Sequence, residues 1–576
     1  MANAQHSLEH FYFGQMVTGN KPTGEPQLLA ASPGITPKVV EQVVGRVMLP
    51  PLIRSENGAW ALVRGRSRQA PFILTQSQQG EYGQVIHHYI IAQPEVLKAI
   101  GGNLKVLVTL VEDQLPVFKD TWQKLKRIEL EQPPPLTVDA QIEDILELMM
   151  VARNRTQIIE PLLAAIVQGN QLIIQGAPPD LQERVRFISG MLALLPTSAR
   201  FGVTFTTHSL PSSEIDTQIR FYSDDAPPTE TVVFNWSSGR VFGEELSDEY
   251  SRYVMSQLRL DTSLVIERTG AMASVAGWRL NEGDNLSEAL GYASKRFKMD
   301  EALRNNQPVN KDEVAKILAD DPTLSDNMHQ LYAGHLIRFS LAMNDMSHAD
   351  PVAPLLRHNA SLATSTLQQM DGAIRDGKAG LIFDTLMHWI AHATGPEGPQ
   401  WIDLTHRALL AQARMLVDEQ EIDELRFLLE QVLNAGSVLA VHRIVSKLFS
   451  VVLPLTRHDH ELARLIFLLG IQYLDSVQFN RLMSDSELVE QLPPQAQYAW
   501  NYIQSGNVGD APVGFLAQTA RSFGAEWEPL VLTRLVEIAI RAGIPAALDT
   551  PTIRALLQIA ISPEASQYEK RLLAAG

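Results

Sequence analysis

The pattern of apolar residues changes near residue 245, and this change constrains the fold more than any other feature of the chain. Before it, short runs of aromatic and β-branched residues alternate with Gly, Pro and Asn turns, which is typical of strands. After it, almost every apolar pattern has the spacing of an amphipathic helix. We therefore predict an α+β, multidomain protein, with an N-terminal mixed α/β region followed by a large all-α helical array.

A run of three prolines, Pro133–Pro135, predicts a first domain boundary. Proline has no backbone N–H and holds φ near −65°, so neither a helix nor a central strand can continue through the run. The chain has 576 residues, enough for several domains of roughly 150 residues each. We predict a mixed α/β domain over residues 1–131, a middle α/β domain over 136–245 and an all-helical domain over 246–576.

The two N-terminal domains are predicted to combine strands with a few helices. In the first, we predict strands at 10–13, 27–31, 60–63, 72–75, 85–92 and 106–111, and helices at 37–48 and 95–100. In the second, we predict a helical segment at 139–168 broken at Pro161, a strand–helix–strand unit at 171–175, 179–195 and 201–207, and strands at 218–222 and 231–235.

The C-terminal domain is predicted to be a stack of helices joined by short loops. The predicted helices are at 285–298, 311–318, 328–343, 381–392, 402–417, 421–433, 439–452, 461–474, 486–492, 529–542 and 552–561. No repeat of fixed period runs through them. We therefore expect an irregular, solenoid-like array rather than a named repeat fold.

Composition excludes several classes of partner. The chain has 48 Lys+Arg and 65 Asp+Glu, a formal charge of −17, so phosphate backbones and anionic lipid surfaces would repel it. No apolar stretch reaches the ~18 residues expected of a membrane span. The absence of cysteine and of a signal-like N-terminus favours a cytoplasmic location. We predict no nucleic-acid partner and no membrane insertion.

The glycine turns lack the groups that bind nucleotide phosphates. Gly19 and Gly24 have P-loop spacing, but Glu25 stands where the phosphate-binding lysine would be. The turn at Gly176 precedes a helix but lacks the second glycine and the Lys-Ser/Thr pair. There is also no Gly-x-Ser-x-Gly motif around a nucleophilic serine. The sequence therefore predicts no catalytic residue and no cofactor.

One set of residues has the spacing of a metal site. Asp384, His388 and His392 are four residues apart, so a helix would place them on one face, where a divalent ion could bridge them. This is the basis of an alternative function, a metal-dependent hydrolase. Trp389 occupies the position of the general-base glutamate of zincins, and partly buried polar groups on a helix–helix face explain the pattern more simply. His87 and His88 are adjacent in a predicted strand, so their rings should point to opposite faces and could not share an ion.

The N-terminal region differs from the rest in charge and carries an arginine cluster. Residues 1–130 contain 13 Lys+Arg and 10 Asp+Glu, whereas the remainder contains 35 and 55. If the strand beginning at Trp60 continues, Arg64, Arg66 and Arg68 project from one face and could pair with carboxylates or phosphates. We predict these three as partner-binding residues. The alternative is a solvated edge strand whose charges discourage aggregation.

Several segments resemble a known family. They are Phe11-Tyr12-Phe13-Gly14, residues 27–35 leading into a helix, Gly80-Glu81-Tyr82-Gly83 before residues 86–89, and residues 192–196 before the strand at 200–208. Over residues 8–245 this pattern resembles bacterial GTPase-associated proteins. The resemblance implies a multidomain adaptor of a bacterial conflict or regulatory system that binds a protein partner, such as a small GTPase, and it brings no established catalytic residues to carry over. The turn at residues 19–25 and the helical C-terminus depart from the family pattern.

Overall fold

The computed structural model describes residues 6–497 with gaps, together with residue 521. The gaps are 51–57, 65–69, 112–113, 120–122, 131–135, 211–214, 223–231, 244–245, 393–394, 436–441, 457 and several positions between 475 and 496. The chain divides into two compact units, Met1–Gln307 and Pro308–Gly576. Each unit is described by itself below.

In the first unit, the described strands form one mixed sheet of twelve strands. The strands are β1 His6–Thr18, β2 Lys21–Ala31, β3 Ala59–Arg64, β4 Phe72–Gln79, β5 Val85–Ala92, β6 Gln123–Lys124, β7 Ile128–Leu130, β8 Leu172–Gln175, β9 Phe205–Ser209, β10 Ile219–Tyr222, β11 Val232–Asn235 and β12 Arg240–Phe242. Their order is β12-β11-β8-β10-β9-β3-β4-β5-β1-β2-β6, and β7 pairs with β1.

The sheet joins an antiparallel half to a parallel half. Strands β3, β4, β5, β1 and β2 pair antiparallel, whereas β11, β8, β10 and β9 pair parallel. The halves meet where β3 pairs antiparallel with β9, with Ala61 opposite Thr206 and Leu62 opposite Phe205. The predicted strand–helix–strand unit is present as β8, α6 and β9, but β10 lies between its two strands.

The helices of the first unit cover both faces of the sheet. They are α1 Pro37–Val44, α2 Pro94–Ala99, α3 Leu104–Val108, α4 Val138–Val151, α5 Thr156–Val167, α6 Leu181–Ala193, α7 Thr197–Arg200, α8 Glu249–Leu258, α9 Thr262–Glu282 and α10 Leu286–Arg304. Alternation along β3 and β4 divides the core. Leu62 and Leu74 face the large cluster that contains α4–α6 and α8–α10, whereas Val63 and Ile73 face a smaller cluster that contains α1.

The described part of the second unit is helical. Its helices are α11 Lys311–Asp320, α12 Asp326–Met343, α13 Ala360–Arg375, α14 Ala379–Ala391, α15 Pro399–Glu419, α16 Ile422–Ala435, α17 His442–Thr456, α18 His460–Tyr473 and α19 Ser486–Gln491, with a 3₁₀ helix at Met346–Arg357. The predicted helices at 529–542 and 552–561 lie outside the described residues. Among the described helices of the whole chain, none is both long and apolar enough to cross a membrane.

Two predicted elements are wrong. Residues 106–111 were expected to form a strand, but α3 occupies Leu104–Val108, because the Asn103 side chain accepts from the amide of Lys105 at 3.0 Å and caps a helix there. The helical segment at 139–168 is broken between α4 and α5, where Arg153 and Asn154 have φ values of 55° and 58°. Pro161 lies inside α5 instead of breaking it.

The compact units differ from the three predicted domains. The proline run at 133–135 lies outside the described residues, but β3–β9 pairing carries one sheet across that boundary. Past residue 245, α8–α10 contribute Tyr250, Met255 and Met272 to the same core cluster as the sheet. The first unit therefore extends to Gln307.

Candidate functional site

A cleft of about 820 Å³ in the first unit opens at one end of the sheet. Five parts of the first unit meet there: the end of β3, the start of α2, the end of α5, the turn after α7 and the α9–α10 connection. Lining residues used below are Arg64, Lys98, Phe201, Asn281 and Asp284. We call this feature the basic cleft, after its two cationic side chains.

Arg64 is the last residue of β3, and β3 ends at the cleft, so the Arg64 side chain lines it. Arg64 lies opposite Phe72 in the β3–β4 register, and its guanidinium lies 5.3 Å from the centre of the Phe72 ring. Since β3 is paired with β4 on one side and β9 on the other, the alternative of an edge strand is wrong for β3 itself, whereas residues 65–69 lie outside the described residues. The guanidinium is held against an aromatic ring in a half-buried position, which limits the conformations that it can adopt.

Lys98 provides the second cation of the cleft. It lies near the end of α2, and its Nζ donates to Asn281 Oδ1 of α9 at 3.1 Å. The same Nζ lies 5.5 Å from the centre of the Phe201 ring. Lys98 is exposed, so these contacts orient its ammonium while water still reaches it.

Acidic residues also line the basic cleft. Asp284 Oδ2 accepts from Arg279 Nε at 2.6 Å, so its charge is balanced within the protein. Glu95 lies in the first turn of α2, where the helix dipole favours a carboxylate. The described lining of the cleft therefore holds two cationic and two anionic side chains, and Arg64 and Lys98 are the two with the chemistry to pair with a carboxylate or phosphate.

The structure describes only one of the three predicted partner-binding arginines. Arg64 lies in the basic cleft, whereas Arg66 and Arg68 lie outside the described residues. Sequence reasoning missed Lys98, although it predicted the helix that carries this residue. No local signal could have found it, because the pairing of β3 with β9 and the packing of α2 near α9 bring distant parts of the chain together.

The metal-site alternative is not supported by the described part of the second unit. Asp384 lies in the middle of α14, His388 in its last turn and His392 at its C-cap, but Asp384 accepts from Gln431 and burial raises its pKa. His388 Nε2 is 3.7 Å from Asp350 Oδ2, while His392 Nδ1 contacts the His388 carbonyl at 2.9 Å. Among the described residues, no group of three His, Asp or Glu side chains is placed to hold a metal ion. The spacing predicted one shared helix face, but Gln431 engages Asp384 and Asp350 lies beside His388, while the rings of His388 and His392 contact each other with centres 4.2 Å apart.

The two glycine turns have structural roles. Gly19 and Asn20, with φ values of 55° and 64°, form the tight turn between β1 and β2. Gly176 follows β8 with φ of 63°, and its carbonyl accepts from Ser237 Oγ at 3.3 Å. Asp180 then caps α6 by accepting from the amide of Gln182 at 2.8 Å. Hairpin closure and helix capping account for both motifs.

No known protein family matches the chain, and a search of curated proteins finds no match either. The resemblance to GTPase-associated proteins stays a prediction.

Proposed function

We propose that the chain is a non-catalytic interaction scaffold, or adaptor, whose N-terminal unit binds an acidic surface of a protein partner. The observation that carries this proposal is the basic cleft, in which Arg64 and Lys98 are each held beside an aromatic ring and line a space of about 820 Å³. Oriented cations are suited to pairing with carboxylates, because less side-chain freedom is lost on binding.

The partner class follows from the resemblance rather than from the cleft. We propose a small GTPase or another signalling protein of a bacterial conflict or regulatory system, in the cytoplasm. Acidic side chains on such a partner would speed encounter and fix its orientation at the cleft.

We further propose that the helical unit is an irregular, solenoid-like array that provides a second contact surface. Its main packing contacts support this: α13 packs on α14 and α15, α15 on α16 and α17, and α16 and α17 on α18. Packing restricted to helices one or two positions apart is typical of a linear stack.

The test compares protein capture by three purified forms of the full chain. The double variant Arg64→Gln/Lys98→Gln removes both cations of the cleft, and Lys21→Gln removes an exposed cation in the β1–β2 hairpin as a matched control. We expect one protein from lysate of the source organism to be retained by the wild type and by Lys21→Gln. Retention by the double variant should be about tenfold weaker and less sensitive to salt.

The retained protein is then identified by mass spectrometry and tested for binding of a fluorescent GTP analogue. Nucleotide binding supports the GTPase assignment. Equal retention by the double variant and the wild type, with the same dependence on salt, would place partner binding elsewhere and contradict the proposal.

A further inference from the structure

Helix α4 exposes large apolar side chains and buries polar ones, the reverse of the usual pattern of a surface helix. Leu146 and Met150 are 49% and 66% exposed. The inner face of the helix instead buries Gln141 and Asp144, and Asp144 Oδ1 pairs with Lys105 Nζ at 3.1 Å. A helix that is apolar on its outer side as well as its inner side is typical of one that a further surface covers.

The outer residues of α4 follow a symmetric spacing. Asp139, Ile142, Leu146, Met150 and Arg153 are separated by three, four, four and three residues. At about 100° per residue, the first four lie within about 80° of one another around the helix. Arg153 lies just beyond the end of α4, and all five are exposed except the half-buried Ile142. We call these five residues the α4 face.

The α4 face is complementary to a second copy of itself. If two α4 helices pack antiparallel around a two-fold axis at Leu146, each residue faces the partner's residue at the same distance on the other side of the axis. Ile142 then faces the partner's Met150, and Asp139 faces the partner's Arg153. A parallel pair would instead place Asp139 beside the partner's Asp139, so the charges favour the antiparallel arrangement.

The residues that flank the α4 face have the same distribution of charge. Glu143 is exposed on the N-terminal half of α4, and Arg155 is exposed beyond its C-terminal end. Arg153 Nη2 donates to the Ser237 carbonyl, and a guanidinium has further N–H donors with which to pair with a carboxylate. An acidic end and a basic end therefore match a second antiparallel copy better than they match a partner surface of uniform charge.

We propose that the α4 face is the interface of a homodimer, in which two α4 helices pack antiparallel around a two-fold axis at Leu146. This inference is independent of the proposed adaptor function, because no described residue of α4 lines the basic cleft. α4 has 14 residues and is about 21 Å long, so the contact is short. We therefore expect a dissociation constant in the micromolar range, about 10 µM.

The first test is sedimentation equilibrium of the full chain between about 1 and about 200 µM, a range that spans the expected dissociation constant. The wild-type mass should rise from that of one chain towards that of two. Leu146→Glu and Met150→Glu place carboxylates in the contact and should raise the dissociation constant about tenfold or more. Met48→Glu is the matched control and should dimerise as the wild type does, because Met48 is 51% exposed beside the smaller core cluster, on the other face of the sheet.

Cysteine cross-linking tests the two-fold geometry, since the chain contains no cysteine of its own. A disulfide requires Cα atoms within about 7 Å of each other. Leu146→Cys lies on the axis and should give a covalent dimer on mild oxidation. Two copies of Asp139→Cys would be about 21 Å apart along the antiparallel helices, at about 1.5 Å per residue, and should not cross-link.

A mixture of two single-cysteine chains tests the register. Ile142→Cys should cross-link to Met150→Cys, whereas neither should cross-link to itself, because equal positions would be about 12 Å apart along the helices. Circular dichroism and thermal unfolding confirm that each variant is folded. The cross-links test the dimer even if a glutamate variant does not fold.

Three results would overturn the inference: a wild-type chain that stays monomeric up to about 200 µM, folded Leu146→Glu and Met150→Glu variants that dimerise as the wild type does, or a dimer that Leu146→Cys does not cross-link. If the chain is monomeric and Leu146→Glu no longer retains the lysate protein, the α4 face binds that protein instead of a second copy. Arg64→Gln/Lys98→Gln should dimerise as the wild type does, so loss of the adaptor function and loss of the dimer are distinguishable.

Discussion

At the scale of single residues, the buried histidines of β5 illustrate how the sheet controls ionisation. His88 stacks on Tyr12, with ring centres 4.3 Å apart, whereas His87 lies on the opposite face beside Tyr89. Burial lowers the pKa of His87 to about 4. Burial, together with the nearby His10, lowers the pKa of His88 to about 3. Strand alternation predicted the opposite directions of the two rings, but the burial comes from strands β4 and β1 on either side.

These pKa values predict that the sheet loses stability in mild acid. In the unfolded chain a histidine takes up a proton near pH 6.5, but folded His87 does so only near pH 4. The stabilisation is thus complete above about pH 6.5 and is lost as the pH falls towards about 4, a loss of about 3 kcal/mol for His87. Hydrogen exchange of the backbone amides of residues 85–92, corrected for the intrinsic exchange rates at each pH, measures this loss of stability.

A variant that cannot titrate provides the control for this prediction. His87 Nδ1 is buried without a hydrogen-bond partner, so His87→Leu should be tolerated at neutral pH and should flatten the pH dependence. His358→Leu, at an exposed position of the helical unit, should leave it unchanged. An equally steep pH dependence in His87→Leu and the wild type would show that other groups cause the acid sensitivity.

At the scale of elements, replacing two glycines by alanine is expected to change stability in opposite directions. Gly102 has φ of +65°, and a Cβ there would lie 2.4 Å from Arg200 Cβ, within the connection between α2 and α3. Gly270 lies inside α9 with open space around it. We expect Gly102→Ala to lower the free energy of unfolding by about 2 kcal/mol or more, because of backbone strain and the steric clash.

Gly270→Ala should instead raise the free energy of unfolding by about 0.5–1 kcal/mol, since alanine loses less conformational entropy in a helix. Urea denaturation followed by circular dichroism measures both changes. A destabilising Gly270→Ala would mean that this face of α9 is covered, and it would contradict the open space around Gly270.

Element prediction from sequence succeeded where the pattern is local. The strand predicted at 85–92 matches β5, and the helix predicted at 461–474 matches α18, which Asp459 caps by accepting from the Leu462 amide at 2.8 Å. α8 and α9 were not predicted as individual helices, because the buried face of α9 mixes Val265 and Met272 with the polar Thr269, so its apolar pattern is weak. Only Arg64 of the basic cleft was predicted, because the rest of the cleft depends on which distant strands and helices meet.

At the scale of the whole molecule, the first unit depends on helices that come after the sheet in the sequence. Tyr250 Oη donates to the Leu194 carbonyl at 2.7 Å, which joins α8 to the end of α6. Ser198 Oγ donates to the Ala273 carbonyl at 2.7 Å, which joins α7 to α9. Both contacts are formed by residues beyond 245. A fragment that ends at 245 therefore lacks part of the core that the sheet needs.

This dependence predicts which fragments fold. Residues 1–307 should fold alone, with a mixed strand and helix circular dichroism spectrum and a cooperative thermal transition, because this fragment keeps the whole core cluster. Residues 1–245 should bind the dye ANS and aggregate, since loss of α8–α10 exposes apolar surface on the sheet-packed helices.

Residues 1–276 provide an intermediate case. In this fragment α8 and most of α9 restore contacts with Leu194 and Ser198 but α10 is missing, so a broader thermal transition at lower temperature is expected. If residues 1–245 gave a cooperative transition without ANS binding, the sheet would be an independent domain, and the boundary inferred at 245 from the change in apolar pattern would mark a structural division as well.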